Sequence, residues 1–280
     1  MMIQEKNSNA VIISISSDIG TEMAKRWLSY GWRIVGTYRT ITPSVAELSD
    51  IGASLIECDL SDEESMQSAC KKIREQDFQW NVLVFCPGTQ DPIGSFTGLN
   101  FDQWARSVNI NFVNQLRILH NILPGRKLNG ECEPCVIFFA GGGTNNATMN
   151  YSAYTISKIA LIKMCELLDA EIKDTKFTIV GPGWVKTKIH ESTMEAGEKA
   201  GDNLRRTKDK FANDEFTSID EVLNCCEWLI KSPRELISGR NFSVVFDMWG
   251  KDILNNKLRE DPDMYKLRRH GNNLFNRRKC

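Results

Sequence analysis

The sequence predicts an α/β fold, a doubly wound parallel sheet of about seven strands with helices on both faces. Three observations carry this. Short β-branched apolar runs recur from Val11 to Val245, longer stretches with helical spacing separate them, and small polar or glycine-containing turns follow several of the runs.

The strand candidates are residues 11–15, 33–37, 54–57, 82–85, 135–139, 176–180 and 241–245. The first helix candidate places Ile19, Met23, Trp27 and Leu28 at helical spacing, and the fifth does the same with Ala160, Leu161, Met164, Leu167 and Leu168. In such a sheet ligands bind at the carboxyl ends of the strands. Two segments stand outside the alternation. Residues 188–217 are polar and charged and long for a connection, which suggests a lid over the site. Residues 251–280 follow the last strand and carry Arg268, Arg269, Arg277, Arg278 and Lys279; they read either as a solvated or subunit-contacting tail or as a clamp on an anionic substrate.

Hydrophobic residues make up 41% and charged residues 25% of the 280, enough to bury one large core. The expected division is one domain over residues 1–250 followed by a basic tail. A net charge of −1 gives no reason to expect nucleic acid or an anionic membrane as partner. Residues 1–10 are polar and lead into an apolar run too short for a signal-peptide core or a membrane span, so a soluble, cytoplasmic protein is expected. Nine cysteines cannot all pair; Cys58, Cys86, Cys165, Cys225 and Cys226 fall in apolar segments and read as reduced core residues. Cys132-x-x-Cys135 has no second pair and His120, His190 and His270 are scattered, so no metal is expected. His190 is the histidine placed to touch substrate. Trp184, Phe246 and Trp249 read as core or subunit-contact aromatics.

The strongest local chemistry is Tyr154-Thr155-Ile156-Ser157-Lys158, which follows the turn Gly141-Gly142-Gly143. Residues four apart share a helix face, so phenol and ammonium point into one site. A nearby cation lowers a tyrosine pKa toward the range a general acid/base needs.

This arrangement resembles the short-chain dehydrogenase/reductase family in its compact, single-domain form, with landmarks in order from Val11 to Val245. Residues 16–20, Ser16-Ser17-Asp18-Ile19-Gly20, look like the end of that family's glycine-rich turn; Asp59, followed by Leu60, matches its adenine-contacting acid. Gly88 matches the glycine that closes the segment after the fourth strand, and Asn111 the active-site asparagine. Pro182-Gly183-Trp184-Val185-Lys186-Thr187 resembles the turn that holds the nicotinamide half. The resemblance implies a Rossmann-type fold, a nicotinamide cofactor, a carbonyl or alcohol substrate, and a homodimer or homotetramer. Tyr154 would then be the acid/base, Lys158 would hold the nicotinamide ribose, and Asn111 would support a proton-relay water.

A strand, a small polar turn and a helix opening near Ile19 would direct backbone N–H groups and the helix dipole at a pyrophosphate. Ser14 and Asp18 stand where the family has its first two glycines; Asp18 reads as a helix cap, and Ser14 as a residue that narrows the backbone's approach to the phosphates. The second strand ends in Tyr38-Arg39 with no carboxylate to select NAD, so NADP(H) is expected over NAD(H), with Arg39 pairing the 2′-phosphate. Gly141 occupies the place of the family's serine; Thr144, ahead of Ser152 or a backbone N–H of the turn, is the expected substitute donor. Two other readings stay open. The Gly-Gly-Gly turn and the ending around Ser238–Trp249 suit an epimerase or dehydratase of nucleotide sugars in polysaccharide metabolism. The departures at Ser14, Asp18, Gly141 and Phe85-Cys86-Pro87 suit a non-catalytic dinucleotide-binding or regulatory protein.

Overall fold

The computed structural model describes residues 8–76, 78–130 and 132–270. Seven parallel strands form one sheet in the order β3-β2-β1-β4-β5-β6-β7. They are β1 (Asn9–Ile13), β2 (Arg33–Tyr38), β3 (Ser54–Glu57), β4 (Val82–Phe85), β5 (Cys135–Phe139), β6 (Lys176–Gly181) and β7 (Asn241–Ser243). The helices are α1 (Asp18–Ser29), α2 (Pro43–Asp50), α3 (Glu63–Arg74), α4 (Phe101–Val108), α5 (Asn114–Ile122), α6 (Ser152–Glu171), α7 (Ile189–Ala196), α8 (Asp202–Asn213), α9 (Ile219–Lys231), α10 (Arg234–Ile237) and α11 (Asp252–Glu260). Three strands begin and end where the sequence places them. β1 and β7 both end two residues early, because the chain turns out of the ladder at Ser14 and after Ser243.

The apolar runs are continuous because each central strand is buried on both faces. On β1, Ala10 and Ile12 join Met23 and Trp27 of α1 and Leu229 of α9 in one core. Val11 and Ile13 join Met66 of α3, Ile118 of α5 and Leu161 of α6 in the other. Phe85 and Phe138, paired across β4 and β5, stack with ring centroids 4.7 Å apart. Cys58, Cys165, Cys225 and Cys226 are buried thiols within these cores.

The strand order reverses between β1 and β4, whose carboxyl ends open a crevice where the connections diverge to opposite faces. α4 runs into α5 through a π-helical turn, Asn109–Val113. Such a one-turn widening often marks a functional site.

Part of the segment expected as a tail is folded onto the domain. Leu254 and Leu258 of α11 are buried in the first core. The buried Arg240 donates to the carbonyls of Leu258, Asp261 and Met264, a guanidinium clasping the end of a helix. Arg268 pairs with Glu166 of α6 and with Asp263, so its charge is spent within the chain. Arg277, Arg278 and Lys279 lie outside the described residues. Among the described residues no helix is long and apolar enough to cross a membrane.

Candidate active site

The turn after β1 meets the start of α1. Ser14 adopts φ 60°, the left-handed backbone that glycine takes freely and an L-residue takes at a cost of about 1–2 kcal/mol. It keeps a glycine-like chain path, and its N–H is tied to Thr37 Oγ1 at 3.0 Å. Gly20 cannot be replaced cheaply, since a Cβ there would lie 2.8 Å from Ser17 Oγ and 2.9 Å from the Ser14 carbonyl. The helix cap is Ser17, not Asp18: Ser17 Oγ accepts from Gly20 N at 3.0 Å. Ser16 lies in the turn, and the Asp18 and Ile19 N–H groups open the helix without intrahelical acceptors. Asp18 is the first helical residue, and its carboxylate leaves the helix to accept from Lys188 N at 2.8 Å, with Lys188 Nζ at 3.8 Å.

At the end of β2 Arg39 is exposed, and its charge acts on Asp59, just beyond β3. Burial pushes the Asp59 carboxyl up, but bonds from the Ser61 N–H and hydroxyl and the charges of Arg39 and Arg106 outweigh it, leaving the pKa below the usual carboxylate range. Arg106 on α4 donates to Ser61 Oγ at 2.9 Å and shares one cleft with Arg39, Thr89 and Ile110. Sequence reasoning missed Arg106, because only the fold brings α4 against the ends of β2 and β3. Leu60 is buried, and its carbonyl accepts from Asn114.

After β4 the chain passes Cys86 and Pro87 to Gly88. A methyl built on Gly88 would lie 3.9 Å from Lys158 Nζ, 4.0 Å from the Tyr154 ring and 3.5 Å from Ile189 Cδ1. The tyrosine, the lysine and the start of α7 therefore meet at one point. Asn111 is fully buried in the π-helical turn; its side chain exchanges hydrogen bonds with the Thr89 backbone and donates to Ser107 Oγ at 3.2 Å.

Lys158 Nζ donates to the Pro87 carbonyl at 3.2 Å and lies 5.7 Å from the Tyr154 ring centroid. Burial pulls the ammonium down to about 8 and pushes the Tyr154 phenol up to about 12. The second shift corrects the sequence expectation of a lowered tyrosine pKa: burial drives both groups toward their neutral forms.

Gly141 is tied to the same tyrosine. A Cβ there would lie 2.6 Å from Tyr154 Cε1 and 2.9 Å from both Cζ and the hydroxyl oxygen. The position where the family has a serine is thus closed by Tyr154 itself. Thr144 is half-buried further along the turn and makes no hydrogen bond to any described residue. Ser152 Oγ accepts from Trp104 Nε1.

Beyond β6, Gly183 takes φ 78° with Thr217 and Val245 crowding the space a side chain would need. Pro182 precedes it; Val185 is buried, and Thr187 Oγ1 donates to the Val185 carbonyl at 3.3 Å. Residues 189–213 are two helices, α7 and α8, not an irregular connection. Thr193 anchors α7, bonding Tyr151 at 2.8 Å and Gln90 at 2.9 Å. His190 is buried. It stacks on Trp184 with centroids 5.1 Å apart, and its Nε2 must be the protonated nitrogen because its partner, the Val185 carbonyl at 2.9 Å, only accepts.

Burial lowers the His190 pKa below its ordinary value, and the Val185 bond offsets this only in part. The unfolded chain therefore takes up this proton first as pH falls. The stabilisation is complete above about 6.5 and is lost as pH drops through the folded value. Amide protection factors over residues 185–200, corrected for the intrinsic exchange rate, are expected to fall between pH 7.5 and 5 in the wild type and markedly less in His190→Gln, which keeps a donor but cannot titrate. An equal fall in both would place the sensitivity in another group.

An α/β sheet with a glycine-bearing turn at its switch point and a Tyr-Lys pair at its carboxyl edge defines a dinucleotide-binding class of protein. A family model described as enoyl-(acyl carrier protein) reductase matches residues 14–245. The chain belongs to the short-chain dehydrogenase/reductase family of oxidoreductases. It is 20% identical over 230 residues to a serine 3-dehydrogenase of Rhizobium radiobacter, covering 81% of this chain and 89% of that one. It is 24% identical over 254 residues to the NADH-dependent enoyl-acyl-carrier-protein reductase FabI of Enterococcus faecalis, covering 88% of this chain and 97% of that one. Among solved structures, a short-chain dehydrogenase/reductase from Saccharomyces cerevisiae superposes with a TM-score of 0.76 at 17% identity, covering 87% of this chain and 98% of that chain. An actinorhodin polyketide ketoreductase with NADPH gives 0.74 at 19% identity, covering 90% of this chain and 100% of that chain.

Proposed function

We propose that the protein is an NADP(H)-dependent oxidoreductase that moves hydride between the nicotinamide and a carbonyl or alcohol carbon, with Tyr154 as the acid/base. The observation that carries this is the convergence of Tyr154 and Lys158 on Gly88 beside the sheet's switch point. The names of the relatives, dehydrogenases and reductases, belong to the same reaction class.

The residues fit such a cofactor. Ser14, Ser16, Ser17, Asp18, Ile19 and Gly20 would present backbone donors to the pyrophosphate; Arg39 would take the 2′-phosphate, and Asp59 and Leu60 would border the adenine. Gly88, Lys158, Pro182, Gly183, Val185 and Thr187 would hold the nicotinamide half. Hydride chemistry is the cofactor's own. Tyr154 gives its proton to the carbonyl oxygen in reduction and takes it back in oxidation. Lys158 steadies the ribose and the phenol, and Asn111 fixes the Thr89 backbone beneath them. Residues 188–217 act as a lid that moves when the cofactor enters, since Ile189 of α7 packs at Gly88 and Asp18 holds Lys188.

NADPH and NADH titrations followed by fluorescence test this. Wild type should prefer NADPH, and Arg39→Ala should weaken NADPH about tenfold, the worth of one partly solvated charge-assisted contact, while leaving NADH unchanged. A wild-type preference for NADH would overturn the NADP(H) assignment. One observation favours the non-catalytic reading: the Asp18 carboxylate stands at the mouth of the turn that would receive phosphate. Binding of neither nucleotide would make that the better account.

A further inference from the structure

Gln115, fully buried on α5 one turn beyond Asn111, is the polar residue at the site whose role the proposed chemistry leaves unexplained. Its Nε2 donates to the Asn111 carbonyl at 2.8 Å and reaches the Pro87 carbonyl at 3.5 Å. The same Pro87 carbonyl accepts from Lys158 Nζ at 3.2 Å. Two buried donors, an amide and an ammonium, thus share one acceptor.

Because both partners of the amide are carbonyls, the nitrogen must face them, which fixes where the oxygen points. That oxygen, Oε1, is buried and has no partner in the structure. A buried acceptor left unmatched loses its hydration and regains nothing. Lys158 has the complementary deficit, a buried ammonium with three protons and one carbonyl to receive them.

We propose that Gln115 is a positioning residue for Lys158: its Oε1 receives a second ammonium proton through one bound water, while its Nε2 fixes the carbonyl that receives the first. The neighbouring groups leave this job open. Tyr154 of α6 presents its ring to Nζ, Ile189 of α7 is apolar, and the Asn111 amide is spent on Thr89 and Ser107. Cys86, just beyond β4, is held protonated by burial, which pushes its thiol up to about 12. The neutral amide dipole of Gln115 is then what favours the charged lysine over the neutral one.

The inference rests on Lys158 being a working group of the site, and its test is kept separate from turnover. In cofactor-free protein labelled with 13C- and 15N-lysine, the Lys158 signal is assigned by its absence in Lys158→Met and titrated by NMR. Gln115→Leu should lower the Lys158 midpoint by about one pH unit, a tenfold change in proton affinity, and the near-isosteric Gln115→Glu should raise it above wild type. A merely structural role would lower the thermal midpoint of Gln115→Leu while leaving the Lys158 titration where it was, and that result overturns the proposal. Should Gln115→Leu not fold, Gln115→Glu decides alone, an unmoved midpoint overturning it. NADPH titration of the same wild-type sample reports on the proposed function, so a failure there is distinguishable from a failure here.

Discussion

Gly141→Ser is expected to lower turnover about 100-fold, although it writes the family's own residue back into the sequence. The reason is space. A Cβ at Gly141 would stand 2.6 Å from Tyr154 Cε1 and 2.9 Å from the phenol oxygen, closer than real Cβ atoms approach anything. The backbone has little room to retreat, because the preceding residue, Ala140, is pinned through its N–H to the Val180 carbonyl at 2.8 Å. The ring must move instead, and it carries with it the hydroxyl proposed as proton donor. A displacement near 1 Å in a reacting group is worth about two orders of magnitude. The check is steady-state reduction of the carbonyl that the wild type accepts, with NADPH affinity as control. Affinity should hold while kcat falls. A serine variant as fast as wild type would mean that the ring yields without cost and that a second hydroxyl is welcome.

That prediction turns on a relation that the sequence does not display. Gly141 reads from the sequence as a missing donor, and the search for a replacement leads to Thr144 in the same turn. In the structure the absence of a side chain at Gly141 and the placement of Tyr154 are one feature. Periodicity was enough for the sheet, because strands buried on both faces leave unbroken apolar runs; β3, β4 and β5 match residue for residue. It was enough too for the Tyr154–Lys158 pair, which depends only on helix spacing. What it cannot carry is any relation between distant segments. The carboxylate of Asp18 reaches Lys188 across 170 positions, Arg106 joins Arg39 and Asp59 through the packing of α4, and Gln115 reaches Lys158 only through a shared carbonyl. The helices of residues 189–213 were hidden for a different reason. Their buried residues, His190, Thr193 and Thr207, are polar, so the apolar stripe that marks a helix is faint.

The burial shifts on Tyr154 and Lys158 set the second large expectation. Tyr154→Phe should cut turnover about 10²- to 10⁴-fold, the usual worth of a placed general acid, with little change in NADPH affinity, because the ring that packs against Gly141 remains. With its phenol pushed up to about 12, Tyr154 is fully protonated at neutral pH. In the proposed role it would stand ready to donate, which suits carbonyl reduction; the oxidative direction would need the phenolate and should gain with rising pH. Lys158, drawn down to about 8, sets the opposite limit. Below that value it is an ammonium that holds the Pro87 carbonyl and favours negative charge on the oxygen beside it. Above it the proton is lost and the help goes with it. For reduction, kcat/KM, which reports groups of the free enzyme, should therefore be level on the acid side and fall as pH climbs through about 8, reaching a tenfold loss for each further unit. Lys158→Met should be slow throughout and lack that limb. A wild-type profile that stays level to pH 9.5 would place the titration on a group other than Lys158. A Tyr154→Phe variant with undiminished turnover would take the acid/base role from the tyrosine altogether.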